Sequence, residues 1–185
     1  MKRFATALTA LSLLMPMPAL ADEISDTLET ALQAYADGDI QYAIDELDYA
    51  RNKLLALKTD ALSAYLPEPP DGWSRTINSD MNAGMSMMGG GVGAEARYVS
   101  ADESQEFTLT MMADNPMVAS LGSVVQNAAL MGLRVERIGR QKFVQQDGDL
   151  TGLINNRILV QATGADVDTM IAVLKTVDFK ALAAF

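Results

Sequence analysis

The spacing of apolar residues changes once along this chain, near residue 67, and the change separates two kinds of structure. Upstream, Ile24, Leu28, Ala31, Leu32 and Tyr35 recur at helical spacing and form one stripe. Asp37-Gly38-Asp39 breaks the stripe, with a glycine able to take the left-handed conformation that ends a helix. The stripe resumes through Ile40, Ala43, Ile44, Leu47, Ala50, Leu54, Leu57, Ala61, Leu62 and Tyr65. Acids come early in it (Asp39, Asp45, Glu46, Asp48) and bases late (Arg51, Lys53, Lys58), an order that complements the helix dipole. Residues 22–66 therefore predict an antiparallel helical hairpin. Pro67-Glu68-Pro69-Pro70-Asp71-Gly72 predicts a stiff, extended linker and a domain boundary.

Beyond the linker the apolar residues alternate. Residues 73–77, 94–99, 107–111, 135–138, 141–145, 150–154 and 157–162 predict seven strands. Their turns centre on Gly139, Asp147-Gly148-Asp149 and Asn155-Asn156, residues that tolerate positive φ. Asn115-Pro116 predicts an N-cap with proline at the first helical position. The helix it opens uses Met117, Leu121, Val124, Val125 and Ala128, and a last helix over 166–177 presents Val167, Met170, Ile171 and Leu174. The order β-β-β-α-β-β-β-β-α is most economically met by a mainly antiparallel sheet with two packed helices. The expected class is α+β: 22–66 hairpin, 67–72 linker, 73–185 α/β sandwich.

The first residues carry an address. Lys2 and Arg3 precede an apolar run from Phe4 to Leu14, then Pro16, Pro18 and the small-x-small tripeptide Ala19-Leu20-Ala21. That order predicts a secretory signal peptide over 1–21, with Asp22 as the first mature residue and a periplasmic or secreted destination. The apolar run is too short for a stable bilayer anchor, the competing reading. Removing 1–21 takes two of the 14 basic residues and none of the 24 acidic ones. An acidic remainder argues against nucleic acid as a partner, since that affinity comes from cations on phosphates. It also argues against adhesion to anionic membranes.

The chain has no cysteine and no histidine. Disulfides, thiol nucleophiles, Cys-ligated metals, Ser-His-Asp triads and histidine zinc sites are thereby excluded. A chain that is 49% hydrophobic can fold without such staples.

Ala31, Tyr35, Gly38, Ile40, Ala43, Ile44, Leu47 and Ala50 resemble the pattern of a single tetratricopeptide repeat, in which small alanines let two helices approach closely. The resemblance covers residues 22–56 and has no second copy, whereas a solenoid needs about three repeats. It implies either a helix pair with repeat-like packing or a fragment that grips a partner peptide. The proline-then-Gly72-Trp73 entry, and a closing helix ending in Val177-Asp178-Phe179, resemble secreted α/β domains of the PsbP-like kind over about residues 70–183. No residue in that likeness is catalytic. The whole chain resembles a family of periplasmic proteins of Gram-negative bacteria, which implies an address and no activity.

Four of the methionines, Met81, Met85, Met87 and Met88, fall in a glycine-rich stretch. Thioether sulfur is a soft ligand that suits Cu(I). The same stretch also reads as an adaptable contact loop for a partner or lipid, or, as the plainer reading, as packing beside a flexible turn. The loop readings expect it to be surface-accessible. Gly91-x-Gly93-x-x-Ala96 has dinucleotide-fingerprint spacing, but a strand rather than a helix follows it. Arg134, Arg137, Arg140 and Lys142, with Arg157 adjacent, form a candidate anion patch or the solvated face of a strand pair. Asp147-Gly148-Asp149 offers two carboxylates to calcium but lacks the remaining ligands. Asp102-Glu103 is a carboxylate pair in a turn.

The function expected is a secreted, non-catalytic binding or accessory protein without a cofactor, acting on an extracytoplasmic protein or small ligand. The alternatives are a Met-based Cu(I)-binding protein and an enzyme using carboxylates alone.

Overall fold

The structure is a computed structural model and describes residues 20–78, Met81 and residues 90–185. Residues 1–19, which carry most of the expected signal peptide, lie outside the described residues. The chain forms two compact units, one ending at Arg51 and one running from Asn52 to Phe185. The division falls inside a helix, upstream of the proline-rich segment where composition changes.

The first unit is the hairpin. Helix α1 spans Leu20–Ala36 and helix α2 starts at Ile40 and runs to Ser63. Gly38, at φ 85°, makes the turn, and the Asp39 carboxylate accepts from the Tyr42 backbone N–H to cap α2. The faces in contact are built from small residues: Ala31, Ala34, Ala43 and Ala50 are buried, with Thr27 beside them. Tyr49 ties the two helices by donating to Glu23 Oε1 at 2.8 Å. The dipole expectation for α2 is corrected, because no base lies in its last turn. Lys58 is spent elsewhere, in an ion pair with Asp114 at 2.7 Å.

The second unit is a seven-stranded sheet: β1 Trp73–Asn78, β2 Val92–Ser100, β3 Glu106–Ala113, β4 Arg134–Ile138, β5 Gln141–Gln146, β6 Asp149–Ile154 and β7 Ile158–Thr163. The spatial order is β1-β2-β3-β7-β6-β5-β4, with every pairing antiparallel. The α+β class read from the pattern is therefore the observed one. Helix α3, Pro116–Asn127, follows β3; helix α4, Val167–Leu174, and the short α5, Phe179–Leu182, close the chain. Asn115 caps α3 through its side chain, as its sequence position predicts, and Asp166, expected as the first residue of the last helix, caps α4 instead.

Strand periodicity sorts side chains onto two faces. One face carries Tyr98, Phe107, Leu109, Met111, Phe143, Leu150 and Val160. It packs under Met170, Leu174, Phe179 and Leu182 from α4 and α5, and under Leu62 and Leu66 around the end of α2. The other face carries Met112, Leu159 and Val144 and packs against Val118, Val125 and Ala128 of α3 and the residue after it.

Segment 67–72, read as a stiff, extended linker, is clamped to the sheet unit at its first residues. Arg75 Nη1 donates to the Leu66 and Pro67 carbonyls at 2.8 and 2.9 Å, and Tyr98 Oη donates to Pro67 O at 2.7 Å. The Tyr98 ring is fully buried and stacked on Phe107 at 4.6 Å. Burial disfavours the charged phenolate and pushes this phenol up to about 12, partly opposed by the Arg75 charge. Above pH 10 the unfolded chain then loses the Tyr98 proton first. Stability attributable to the neutral phenol is complete below pH 10 and is lost as pH rises toward about 12. Tyr98→Phe should cost about 1 kcal/mol near neutrality, for one hydrogen bond, and flatten the decline of stability above pH 10. Urea midpoints of both proteins at pH 8 and pH 11 test this; parallel declines would contradict it.

Candidate functional site

The hairpin contains more apolar residues than one helix–helix contact can bury. Because the alanines make that contact, the large side chains on the neighbouring stripe face outward. Leu28, Ala31, Leu32 and Tyr35 on α1, and Ile40, Ala43, Ile44 and Leu47 on α2, line one groove of about 390 Å³. Each set follows the i, i+3, i+4, i+7 pattern of a single helix face. Leu32 is 69% exposed and Tyr35 64%, and Leu28, Ile40, Ile44 and Leu47 are exposed as well. Glu29, Asp45 and Asp48, all exposed, each follow a groove residue directly in sequence. At about 100° per residue, Glu29 and Asp48 lie within about 60° of the outer edge of the stripe, and Asp45 lies farther round α2, where it accepts from Gln41 Nε2 at 2.9 Å. From Asp22 to Arg51 the chain holds nine acids and a single base, Arg51.

The methionine stretch divides. Met85, Met87 and Met88 lie outside the described residues. Met81 is half-buried against Met112, Val118 and Leu159, so the expectation of an accessible side chain is corrected at this position. Its neighbour across the packing is Gly93, where an added Cβ would lie 2.9 Å from the Met81 sulfur. Gly93 packs closely on Met81 and is itself part of β2, so a strand and not a helix runs on from it, as the sequence indicated against a dinucleotide site.

The basic residues do not converge. Arg137 and Lys142 are direct cross-strand partners on β4 and β5, on the sheet face that also carries Val135 and Val144. Arg134 sits three residues before Arg137, an odd offset in a strand, and therefore points to the opposite face. There it donates to Glu136 Oε1 at 2.9 Å. Arg140 is in the β4–β5 turn, and Arg157 pairs with Asp114 at 3.2 Å. All four residues of the candidate patch are exposed, and only Arg137 and Lys142 share a face as neighbours.

Among the acids, Asp102 accepts from the Ser100 and Ser104 hydroxyls at 2.7 and 2.8 Å. These bonds to the charged form hold its carboxyl down at about 2. A carboxylate so stabilised is a poor proton donor at neutral pH. Asp147 and Asp149 border a cavity of about 250 Å³ between α3 and the sheet, with Leu121, Val125, Gln146 and Gln161 among its walls. Burial raises the pKa of Asp149, and the Asp147 charge raises it further. Asp147 lies in the β5–β6 turn and Asp149 is the first residue of β6, two positions on. Among the described residues no three acids gather as a metal site would need, and no helix is long and apolar enough to cross a membrane.

The repeat-like pattern, with a fragment that grips a partner peptide as one of its two implications, already held Tyr35, Ile40, Ile44 and Leu47 of the groove, but not Leu28 or Leu32. The signal for the whole groove was present: alanines at 31, 34, 43 and 50 mark the contact, so larger residues on adjacent stripes had to face elsewhere. Compared with protein-family models, curated proteins and solved structures, the chain matches none.

Proposed function

We propose that this is an exported, extracytoplasmic binding protein without catalytic activity, and that the groove of the hairpin is its working surface. The observation that carries the reading is the exposure of six large apolar side chains in one groove of an otherwise acidic unit. Contiguous apolar surface of this kind is costly to leave in water and marks sites of association. The basic amino terminus, apolar run and Ala19-Leu20-Ala21 site support export.

Placing a photo-crosslinking residue at Leu32 in living cells should yield a discrete adduct. The same residue at Lys142, on the sheet unit, should not. Leu47→Glu should abolish the Leu32 adduct without unfolding the protein, since substitutions at exposed positions shift stability by only about 0.5 kcal/mol. Protein recovered from the extracytoplasmic fraction should begin at Asp22. Absence of an adduct at Leu32, or material that retains Met1 in the cytoplasm, would refute the proposal.

A further inference from the structure

We infer that the occupant of the hairpin groove is an amphipathic helix of a separate protein, apolar on one face and flanked by lysine or arginine. The inference rests on the groove being the working surface and adds the chemistry of the partner. Shape gives the first half. Leu28, Leu32 and Tyr35 form one ridge and Ile40, Ile44 and Leu47 another. Each ridge extends over two helical turns, about 10 Å. A trough between two helices is filled by side chains at i, i+3, i+4 and i+7 of a third helix, which satisfies its own backbone hydrogen bonds. An extended peptide would gain no such partner, because the trough has no strand edge.

Charge gives the second half. Glu29 and Asp48 flank the apolar ridges, Asp45 stands farther round α2, all three are exposed, and residues 22–51 around them carry nine acids to one base. A second copy of this chain would bring two such acidic rims together, which opposes self-association through the groove. An anionic lipid surface is repelled for the same reason. Cations on the flanks of the incoming helix meet the rim while its leucine-like face fills the trough.

The test uses the full-length exported protein and two synthetic helical peptides. The peptides share a leucine stripe at i, i+3, i+4 and i+7 and differ only in carrying lysine or glutamate on the polar face. By fluorescence anisotropy at low salt, the lysine peptide should bind about tenfold or more tightly than the glutamate peptide, and the difference should shrink as salt is raised. Combined Glu29→Gln, Asp45→Asn and Asp48→Asn should weaken the lysine peptide severalfold and leave the glutamate peptide no weaker. Leu32→Glu with Leu47→Glu, at unchanged melting temperature, should abolish binding of both.

Equal affinities, or lysine-peptide binding that survives Leu32→Glu with Leu47→Glu, would overturn the inference. So would a dimer in sedimentation that this double variant dissociates, or co-flotation with phospholipid vesicles that it removes; these would assign the groove to a second copy or to lipid. If neither peptide binds while the Leu32 crosslink still forms, the partner chemistry is wrong and the groove's role stands. If both fail, both fall.

Discussion

Phe143→Ala is expected to destabilise the sheet unit by about 3–5 kcal/mol, the range for removing a fully buried aromatic ring. Phe143 is completely buried, and its ring lies 5.7 Å from that of Phe179. Opposite it in the β5–β6 register stands Gly152. A Cβ built on Gly152 would come within 2.7 Å of Phe143 Cε1, so the ring occupies the space a side chain would need. Gly152→Ala should therefore cost about 1–3 kcal/mol by overpacking, in spite of the better strand propensity of alanine. The two changes should not add. Once Phe143 is alanine, the methyl at 152 enters vacated space, and the double variant should be more stable than the sum of the singles by about 1–2 kcal/mol. Trp73, the sole tryptophan, packs on Phe107 in the same unit, so its fluorescence reports the relevant transition in urea. Strict additivity would show that Phe143 and Gly152 are not the interlocked pair described here.

This pair also shows where sequence reading stops. Alternation placed Phe143 in a strand, and the turn residues placed Gly152 in the next. Nothing local said that a glycine was required because a ring lay across it. The same holds for topology. Hairpins such as β5–β6 are legible because turn and strands are contiguous, whereas the β3–β7 pairing joins residues about fifty apart and follows no local signal. The class, the hairpin and all seven strands were legible because each is written in a period of 2 or 3.6. The extent of the first unit was not. Proline composition marks a break at residue 67, but Leu62 and Leu66 upstream of it belong to the sheet's core. A helical stripe does not disclose that its last turns pack on a different partner from its first.

The candidate sites divide in the same way. The separation of Arg134 from Arg137 was available from strand parity, and reading the basic residues as one cluster overlooked it. Met81 was judged by its glycine-rich neighbours and not by Met112, Val118 and Leu159, which are distant in sequence. The groove was half legible. Its residues were recognised as a stripe, and periodicity alone cannot tell a stripe that is covered from one left open.

Gly91→Ala is expected to cost about 3 kcal/mol or more, and Gly72→Ala only about 1–2 kcal/mol. Both glycines hold positive φ, 92° and 79°, so an alanine at either carries the left-handed backbone penalty. They differ in what surrounds them. An added Cβ at Gly72 meets nothing within 4 Å, whereas at Gly91 it would lie 2.7 Å from the Ala113 carbonyl oxygen and 2.9 Å from that of Asp114. Those atoms belong to the backbone at the end of β3 and cannot rotate away. Beside them Asn115, itself buried, donates from Nδ2 to Gly90 O and accepts from the Met117 N–H, so one side chain fixes both the entry to β2 and the start of α3. Forcing Gly91 outward would strain this junction along with the strand. The difference between the two variants isolates the steric term from the φ term, and urea midpoints followed through Trp73 measure it. Equal losses would mean that the junction yields, and that the last glycine of the run serves only to permit an unusual φ. A clearly larger loss at Gly91 would make that glycine a packing requirement of the β2–β3–α3 corner, which removes the need to explain its spacing by a nucleotide.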